Sequence, residues 1–366
     1  MPSPLHDALT QAGAVCSPGA DLPLHFGDWS AEYQAALTGA TLFDASNNGK
    51  LEVSGPEAAL FLHNLCTNDI VGLPLGGGCE AYFCDVRAKV QAHAFVYHVL
   101  VDGGRHAFWL DVTPGFNEKL LKHLDRHLIA EQVELSDRTA DFAQMHLGGP
   151  NAKAVLEKAL GTPLPDLAEF QHMERTFGLN VTCHLRRHDP LGLPGYDIVC
   201  LNARAEGVWK ILAAAGAKSA GSQAFETLRI EAGTPIYGID IDDNRFVMEL
   251  PRALRGVSYA KGCYLGQEPI VMSRDRAGHV NRAFLGVKIL EGGCLAAGTK
   301  LFRDGNEVGL ITSCVPSPRL GVPLALGYIR RGHQDVGLRL EAETAEGRRA
   351  VEVLAFPPNL ALTCTQ

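Results

Sequence analysis

The sequence predicts an α+β protein that ends in a small β-barrel domain. Strand and helix patterns alternate along 41–233, whereas short β segments separated by turns fill the chain from residue 282 onward. The chain has 366 residues, which exceeds one typical domain, and 46% of them are apolar, enough to build substantial cores. We therefore predict an N-terminal α+β region over 1–278 and a C-terminal β-barrel over 279–366.

Turn and capping residues mark the elements of the N-terminal region. Residues 41–53 show short apolar stretches around a polar turn, which predicts a β-hairpin. Pro56 then opens a helix, because proline is favoured at the first helical position. The apolar run 92–101 predicts a buried strand, and Ser222 caps a helix that stops at Gly233.

The C-terminal region shows the pattern of a small all-β domain. Residues 301–308 contain an Asp-Gly pair between two short β segments, which predicts a hairpin with a tight turn. Further strands are expected at 323–329, 337–342 and 349–355. Closely spaced short strands of this kind favour a barrel.

Charge and apolar pattern narrow the classes of function. The net charge of −8 and the pI near 6.0 argue against a broad nucleic-acid surface, which needs clustered Lys and Arg. No apolar run approaches the ~20 residues of a membrane span, and residues 1–14 lack the features of a secretory signal. The ten cysteines are scattered without a C-x-x-C pair, as in a reducing compartment. We predict a cytoplasmic protein with no membrane partner.

The most informative segment is the octapeptide Lys261–Glu268, K-G-C-Y-L-G-Q-E. Lys261 stands close to Cys263, and a cationic neighbour lowers the pKa of a cysteine and favours the reactive thiolate. Gly262 and Gly266 let the backbone turn tightly or approach a ligand closely. Cys263 is therefore a candidate nucleophile, metal ligand or redox thiol, and the alternative is a buried cysteine in a loop.

The rest of the octapeptide is expected to shape the same site. Tyr264, Gln267 and Glu268 complete the motif loop, with Gln267 and Glu268 orienting it. One thiol cannot hold a metal, and no neighbouring cysteine completes a ligand set, so we predict no metal site. Phosphate-binding loops, dinucleotide fingerprints and G-x-S-x-G elbows are absent from the sequence, which gives no support to a kinase, dehydrogenase or hydrolase.

Arg229 lies on the apolar face of the helix that Ser222 begins. A buried arginine must find a carboxylate or a ligand, because burying it unpaired is very costly. Two interpretations stay open: an ion pair with a neighbouring element, or a role in a binding pocket.

Several segments together resemble one protein family. The octapeptide is similar to a K-G-C-Y-x-G-Q-E signature, and four other segments agree in order: 42–46 (L-F-D-A-S), 55–69 (G-P…F-L…T-N-D), 228–233 (L-R-I-E-A-G) and 309–313 (G-L-I-T-S). These segments resemble the folate-binding YgfZ family, relatives of the glycine-cleavage T-proteins (aminomethyltransferases). The resemblance covers nearly the whole chain, so chance is a poor explanation.

The resemblance implies a GcvT/YgfZ-like fold, in which two α+β units surround a central folate pocket, and tetrahydrofolate or a derivative as the ligand. A pterin presents an N–H and an amino group side by side, and one carboxylate can accept both hydrogen bonds. The segment 195–198 resembles the T-protein segment that supplies this carboxylate, which makes Asp197 the candidate; the alternative is an aspartate at a strand edge. Asn68, Arg229 and Glu231 are expected to line or brace the pocket.

Departures from the T-protein pattern argue against aminomethyl transfer. Ala92 and His93 stand where T-proteins carry paired aspartates, and methylene transfer needs a positioned acid–base carboxylate. Phe225 replaces the first arginine of the A-R-D-x-L-R pattern. The run 84–89 instead resembles the C-[DN]-x-[KR]-G-[RK] run of YgfZ proteins, with Ala88 in place of glycine. Whether the chain is an enzyme is left open.

The resemblance therefore implies a folate-binding protein that assists iron–sulfur protein assembly or repair and, through it, tRNA modification. Its partners would be iron–sulfur client or assembly proteins. One alternative is a folate-dependent aminomethyltransferase that uses a different acid or base. Another is a non-catalytic scaffold that folate stabilises. The folate form, the clients, the oligomeric state and the orientation of Cys263 are open at this point.

Overall fold

The computed structural model describes residues 3–20, 22–178 and 180–355. This part of the chain divides into two compact units. Within the described ranges, the first unit is drawn from residues 3–83, 91–225 and 256–264, and the second from residues 84–90, 226–255 and 265–355.

The α-helices are short, and most of them end at a glycine or a turn. Their bounds are α1 (His6–Gln11), α2 (Trp29–Thr38), α3 (Ala58–Leu65), α4 (Asn117–Asp125), α5 (Ala152–Leu160), α6 (Asn202–Ala215), α7 (Ser222–Glu231), α8 (Ala253–Gly256) and α9 (Gln267–Val271). Two 3₁₀ turns (Asp102–Gly104, Val247–Glu249) and one π-helical segment (Met272–Ala277) complete the helical elements of the described residues. None of the helices in the described part is long and apolar enough to cross a membrane.

The strands of the N-terminal part are β1 (Val15–Cys16), β2 (Pro23–His25), β3 (Thr41–Asp44), β4 (Gly49–Ser54), β5 (Gly78–Cys84), β6 (Val90–Val101), β7 (Arg105–Val112), β8 (Glu134–Asp137), β9 (Phe142–Gly148), β10 (His172–Phe177), β11 (Val181–Arg187), β12 (Gly195–Leu201) and β13 (Lys218–Ser219). The strands of the C-terminal part are β14 (Arg282–Ile289), β15 (Lys300–Arg303), β16 (Asn306–Ser317), β17 (Val322–Arg330), β18 (Arg339–Thr344) and β19 (Gly347–Leu354).

Two sheets form the frame of the first unit. One has six strands in the order β10-β11-β12-β9-β3-β13, and the other has five in the order β5-β6-β7-β4-β8. The hairpin expected at 41–53 is wrong, because β3 pairs with β9 whereas β4 pairs with β7 and β8. The polar turn after β3 therefore carries the chain from one sheet to the other. A turn signal alone does not say which strands will pair.

The two faces of the six-stranded sheet have opposite character. Ile198 on β12 packs in the apolar core with Trp209 and Leu212 of α6, and all three side chains are buried. Asp197, its neighbour on the same strand, points to the opposite face, because side chains alternate along a strand. That second face meets the five-stranded sheet through polar and aromatic side chains.

The C-terminal strands close into the expected barrel, in the order β14-β17-β16-β15-β18-β19. The predicted hairpin is present, with Arg303 opposite Asn306 and with Asp304 and Gly305 at φ +51° and +78°. Positive φ at both central residues is the geometry that an Asp-Gly pair favours. The predicted α+β fold with a terminal β-barrel is confirmed, while the boundary between 278 and 279 stays a prediction.

Candidate functional site

Asp197 is the centre of a buried carboxylate–imidazole cluster in the first unit. Its Oδ1 accepts a hydrogen bond from Nδ1 of His146 on β9, and its Oδ2 accepts one from Nδ1 of His188, each at 2.8 Å. Burial by itself would raise the pKa of Asp197, but His188 and His146 outweigh it and hold that pKa well below its usual value. An ionised carboxylate only accepts, so both histidines carry their proton on Nδ1.

Glycines make room for this cluster. A Cβ at Gly195 would lie 2.7 Å from Cε1 of His146, and one at Gly148 would lie 3.0 Å from its Nε2. The imidazole of His146 therefore lies close to the backbone at both positions, and a larger residue at 195 would clash with it. The glycine in the segment 195–198 is explained by packing against His146.

The cluster has unused hydrogen-bonding capacity. The Nε2 atoms of His146 and His188 are buried and make no hydrogen bond within the described residues. Each oxygen of Asp197 accepts one bond from a histidine, although a carboxylate oxygen can accept two. Asp197 is therefore equipped to accept further hydrogen bonds, and its predicted role towards a pterin stays a prediction.

Arg186 adds a second set of unused donors to the polar face. It is fully buried, its Nη1 donates to Asp111 Oδ2 at 2.5 Å, and its guanidinium lies 4.1 Å from the centre of the Tyr97 ring. Its Nε and Nη2 make no hydrogen bond among the residues that the structure describes. Because unsatisfied buried donors are costly, this layer is suited to hold water or a polar ligand.

His93 forms a buried pair with a carboxylate that the sequence analysis missed. Its Nε2 lies 2.9 Å from Oε1 of Glu80 on the neighbouring strand β5, and Tyr82 stacks on the imidazole with ring centres 4.9 Å apart. Ala92, one residue earlier on β6, points to the opposite face and is 2% exposed. A carboxylate stands beside position 93 after all, contributed by another strand.

One aromatic ring connects this pair with Asp197. The Phe95 ring centre lies 5.1 Å from that of His93 and 4.5 Å from that of His188. His93 and Asp197, which stand 104 positions apart (197 − 93) in the sequence, thus belong to the same layer of one unit. An imidazole that a carboxylate orients can take and return a proton at its other nitrogen.

Lys261 of the octapeptide binds the end of a helix. Its Nζ donates to the carbonyl oxygens of Cys66 and Asn68, each at 2.8 Å, and to that of His63. These carbonyl groups belong to the last turn of α3 and to the residues just after it. Carbonyl groups at the end of a helix lack helical hydrogen-bond partners, so a cation there stabilises them. Its ammonium is directed at these groups, and no described contact joins it to Cys263.

Cys263 itself is exposed, as is Gly262, around which a Cβ would meet nothing within 4 Å. Tyr264 is buried, and Nζ of Lys261 lies 4.8 Å from its ring centre. The reactive-thiol role of Cys263 and its tuning by Lys261 stay predictions. Asn68 donates from Nδ2 to the backbone oxygen of Glu80 at 2.8 Å, so it supports the strand that carries that carboxylate.

The remaining motif residues belong to the second unit. Gly266 precedes α9, Gln267 begins it, and Glu268 is exposed on its first turn. Glu231 is buried and accepts a hydrogen bond from Ser317 Oγ at 2.5 Å, with Arg319 Nε 3.7 Å away. Its expected role in lining a folate pocket stays a prediction.

Arg229 forms an ion-pair network inside the second unit. Its Nε and Nη2 donate to Glu226 Oε2 at 2.9 and 2.6 Å, and its Nη1 donates to Asp240 Oδ2 at 2.7 Å. Nη2 also reaches Ser313 Oγ on the barrel strand β16 at 3.1 Å. The polar contacts described for Arg229 therefore support its interpretation as part of an ion pair with a neighbouring element.

Replacing Arg229 by lysine is expected to lower the free energy of unfolding by about 1–3 kcal/mol. Lysine keeps the charge but loses the planar fork that reaches Glu226, Asp240 and Ser313 together. Chemical denaturation followed by circular dichroism measures the change, with exposed Arg339→Lys as the matched control. Equal stability of the two variants would contradict this role.

A metal centre has no basis in the described part of the chain. There, no group of three or more His, Cys, Asp or Glu side chains is arranged to hold a metal ion.

Comparisons with known proteins agree over almost the full length. Residues 5–251 match the GCVT N-terminal domain, and residues 282–358 match the glycine cleavage T-protein C-terminal barrel domain. A probable aminomethyltransferase of Natronomonas pharaonis is 31% identical over 362 residues, covering 97% of this chain and 98% of that protein. The aminomethyltransferase of Geobacillus kaustophilus is 27% identical over 361 residues, with 97% of each chain covered.

A solved structure shows the same fold. The crystal structure of the glycine cleavage system aminomethyltransferase T from Bartonella henselae superposes with a TM-score of 0.86. It covers 98% of this chain and 97% of that chain at 23% identity. At this identity the likeness concerns the fold alone.

Proposed function

Because the chain belongs to the glycine cleavage T-protein family, we propose that it binds tetrahydrofolate and transfers one-carbon units to it, with the Glu80–His93 pair as the acid–base group. This favours the aminomethyltransferase alternative over the main expectation from the sequence. The main support is the buried contact between Glu80 Oε1 and His93 Nε2 at 2.9 Å. This pair would supply the acid–base function for which positions 92 and 93 themselves carry no carboxylate.

The residues around Asp197 fit a pterin. Tetrahydrofolate, when bound, supplies the nitrogen atoms that carry the one-carbon unit. Asp197 would accept hydrogen bonds from the pterin with the lone pairs that His146 and His188 leave free. The buried Nε2 atoms of these two histidines could bind further polar groups of the same ring.

His93 would move the proton. With Glu80 accepting from Nε2–H, the Nδ1 atom of His93 is the basic nitrogen that takes a proton and returns it. Tyr82 stacks on the ring and Phe95 meets it edge-on, so the imidazole is held in one orientation and shielded from water. Held in this way, the imidazole does not have to reorganise during the reaction.

Calorimetric titration with tetrahydrofolate and a turnover assay with an aminomethyl donor test this function. We expect saturable binding below millimolar ligand and the formation of methylenetetrahydrofolate with release of ammonia. No binding at millimolar ligand would overturn the folate site. Binding without any turnover would overturn the transferase and leave the stabilised scaffold or the second candidate below.

The octapeptide favours a second candidate, a cytoplasmic folate-binding protein that assists iron–sulfur protein assembly or repair and, indirectly, tRNA modification. Its support is the exposed Cys263 within the sequence K-G-C-Y-L-G-Q-E, which would be accessible to an iron–sulfur client protein. A deletion strain complemented with Cys263→Ser provides the test, with iron–sulfur enzyme activity as the readout. Full restoration by the variant would exclude a thiol-dependent role.

A further inference from the structure

Parts of two motifs that the proposed one-carbon transfer does not use meet in the second unit. Asp85 folds the run 84–89 into a tight turn, since its Oδ1 accepts from the backbone N–H groups of Arg87 and Lys89, each at 2.9 Å. Gly266 of the octapeptide lies against this turn with φ +82°, and a Cβ there would be 2.5 Å from the carbonyl oxygen of Asp85. Position 266 therefore needs glycine both for its conformation and for this approach.

A groove of about 600 Å³ lies beside this junction. Its volume falls within the range of small-molecule sites, roughly 300–1,000 Å³. One wall is the π-helical segment Met272–Ala277, a rare geometry that occurs frequently at functional sites. Its principal lining residues are Arg87, Lys89, Phe246, Glu249, Met272 and Arg276.

The groove concentrates positive charge in an acidic protein. Arg87, Lys89 and Arg276 face a single lining carboxylate, Glu249, although the chain as a whole carries a net charge of −8. Arg87 has an 81% exposed side chain, and its ion pair with Asp85 is long, at 3.7 Å. Arg276 makes no ion pair within the described residues.

The contacts of the lining residues place charged groups next to apolar surface. Lys89 donates from Nζ to the carbonyl oxygen of Asn244 at 2.7 Å, which fixes the position of the ammonium. Burial raises the pKa of Glu249, the carboxyl group that lines the groove. Phe246 and the half-exposed Met272 add apolar surface next to the cations.

We propose that this groove binds a small anionic molecule in which two or more carboxylate or phosphate groups are joined to an apolar body. The guanidinium groups of Arg87 and Arg276 would bind the anionic groups in their fork geometry. The apolar body would lie against Phe246 and Met272. This binding is independent of the one-carbon transfer proposed above.

Titration of the full-length protein at low ionic strength tests the groove, with p-aminobenzoylglutamate as the carboxylate probe and metal-free ATP as the phosphate probe. We expect at least one probe to bind below millimolar concentration and to bind more weakly as salt is added. The double variant Arg87→Glu/Arg276→Glu should weaken binding by more than about tenfold, or about 1.4 kcal/mol. The probe that binds with the higher affinity shows whether the groove prefers carboxylate or phosphate groups.

Two further variants make the test specific. Arg204→Glu places the same charge change on an exposed site of α6 and should leave binding unchanged, whereas Glu249→Gln should tighten it. If neither probe binds at millimolar concentration, or if the double variant binds like the wild type, the groove is not an anion site. Binding that is lost in Asp197→Ala but kept in the double variant would assign the probe to the folate site and overturn the groove.

Discussion

Replacing His93 by alanine is expected to lower the rate of one-carbon transfer by about 10²- to 10⁴-fold, the usual contribution of a positioned general acid–base group. The alanine variant loses the imidazole whose Nε2 lies 2.9 Å from Oε1 of Glu80. Binding of tetrahydrofolate should be retained, because Asp197, His146 and His188 are untouched. Single-turnover measurements give the rate, and calorimetry gives the affinity.

Two controls separate catalysis from packing. Glu80→Gln preserves shape and a hydrogen-bond acceptor but removes the charge, so its rate should fall less than that of His93→Ala. His106→Ala removes an exposed imidazole from β7 and should keep the wild-type rate. A rate for His93→Ala equal to that of His106→Ala would contradict the acid–base role.

Replacing Asp197 by alanine is expected both to abolish tetrahydrofolate binding and to destabilise the fold. The buried Nδ1–H groups of His146 and His188 lose their acceptor, at a cost of about 1–3 kcal/mol for each unsatisfied group. The substitution Asp197→Asn should reduce stability less than Asp197→Ala. The amide oxygen still accepts a hydrogen bond from one imidazole, and a tautomer change lets the other imidazole accept from the amide N–H. Chemical denaturation and calorimetry measure the two effects.

The pH dependence of stability provides an independent check. Because the pKa of Asp197 is depressed in the folded protein, its contribution is fully present above its unfolded pKa of about 3.9 and is lost as the pH falls below that value. The stability difference between wild type and Asp197→Ala should therefore shrink between about pH 4 and more acidic conditions. An unchanged difference would contradict the ionised state, and exposed Asp335→Ala should show no such trend.

Local patterns predicted much of the fold. The Asp-Gly hairpin and the strands of the barrel were readable, because turn residues and alternation act over a few neighbouring residues. The expectation of a hairpin at 41–53 was wrong because these local patterns do not show which strands pair with each other. Its apolar stretches have the right local character for strands, but their partners β9 and β7 lie far away in the sequence.

A residue of the candidate site could be proposed from the sequence only where a recognised motif includes that residue. Asp197 was proposed from a four-residue segment and its role stays a prediction, whereas Glu80 was missed because it contacts His93 from the adjacent strand. The alternation that puts Glu80 and Tyr82 on one side of β5 was the available signal. For Lys261 the sequence suggested only its neighbour Cys263 as a partner, and it gave no sign that the ammonium binds carbonyl groups nearly 200 positions away.

The glycine before Tyr196 has an evolutionary consequence. Since a side chain at position 195 would occupy the space of the His146 ring, the two positions cannot drift independently. A methyl group at 195 would lie 2.5 Å from the backbone oxygen of His188 and 2.7 Å from Cε1 of His146, so turning the imidazole alone would not make room for it. Glycine at position 195 is therefore required for the present arrangement of His146, His188 and Asp197.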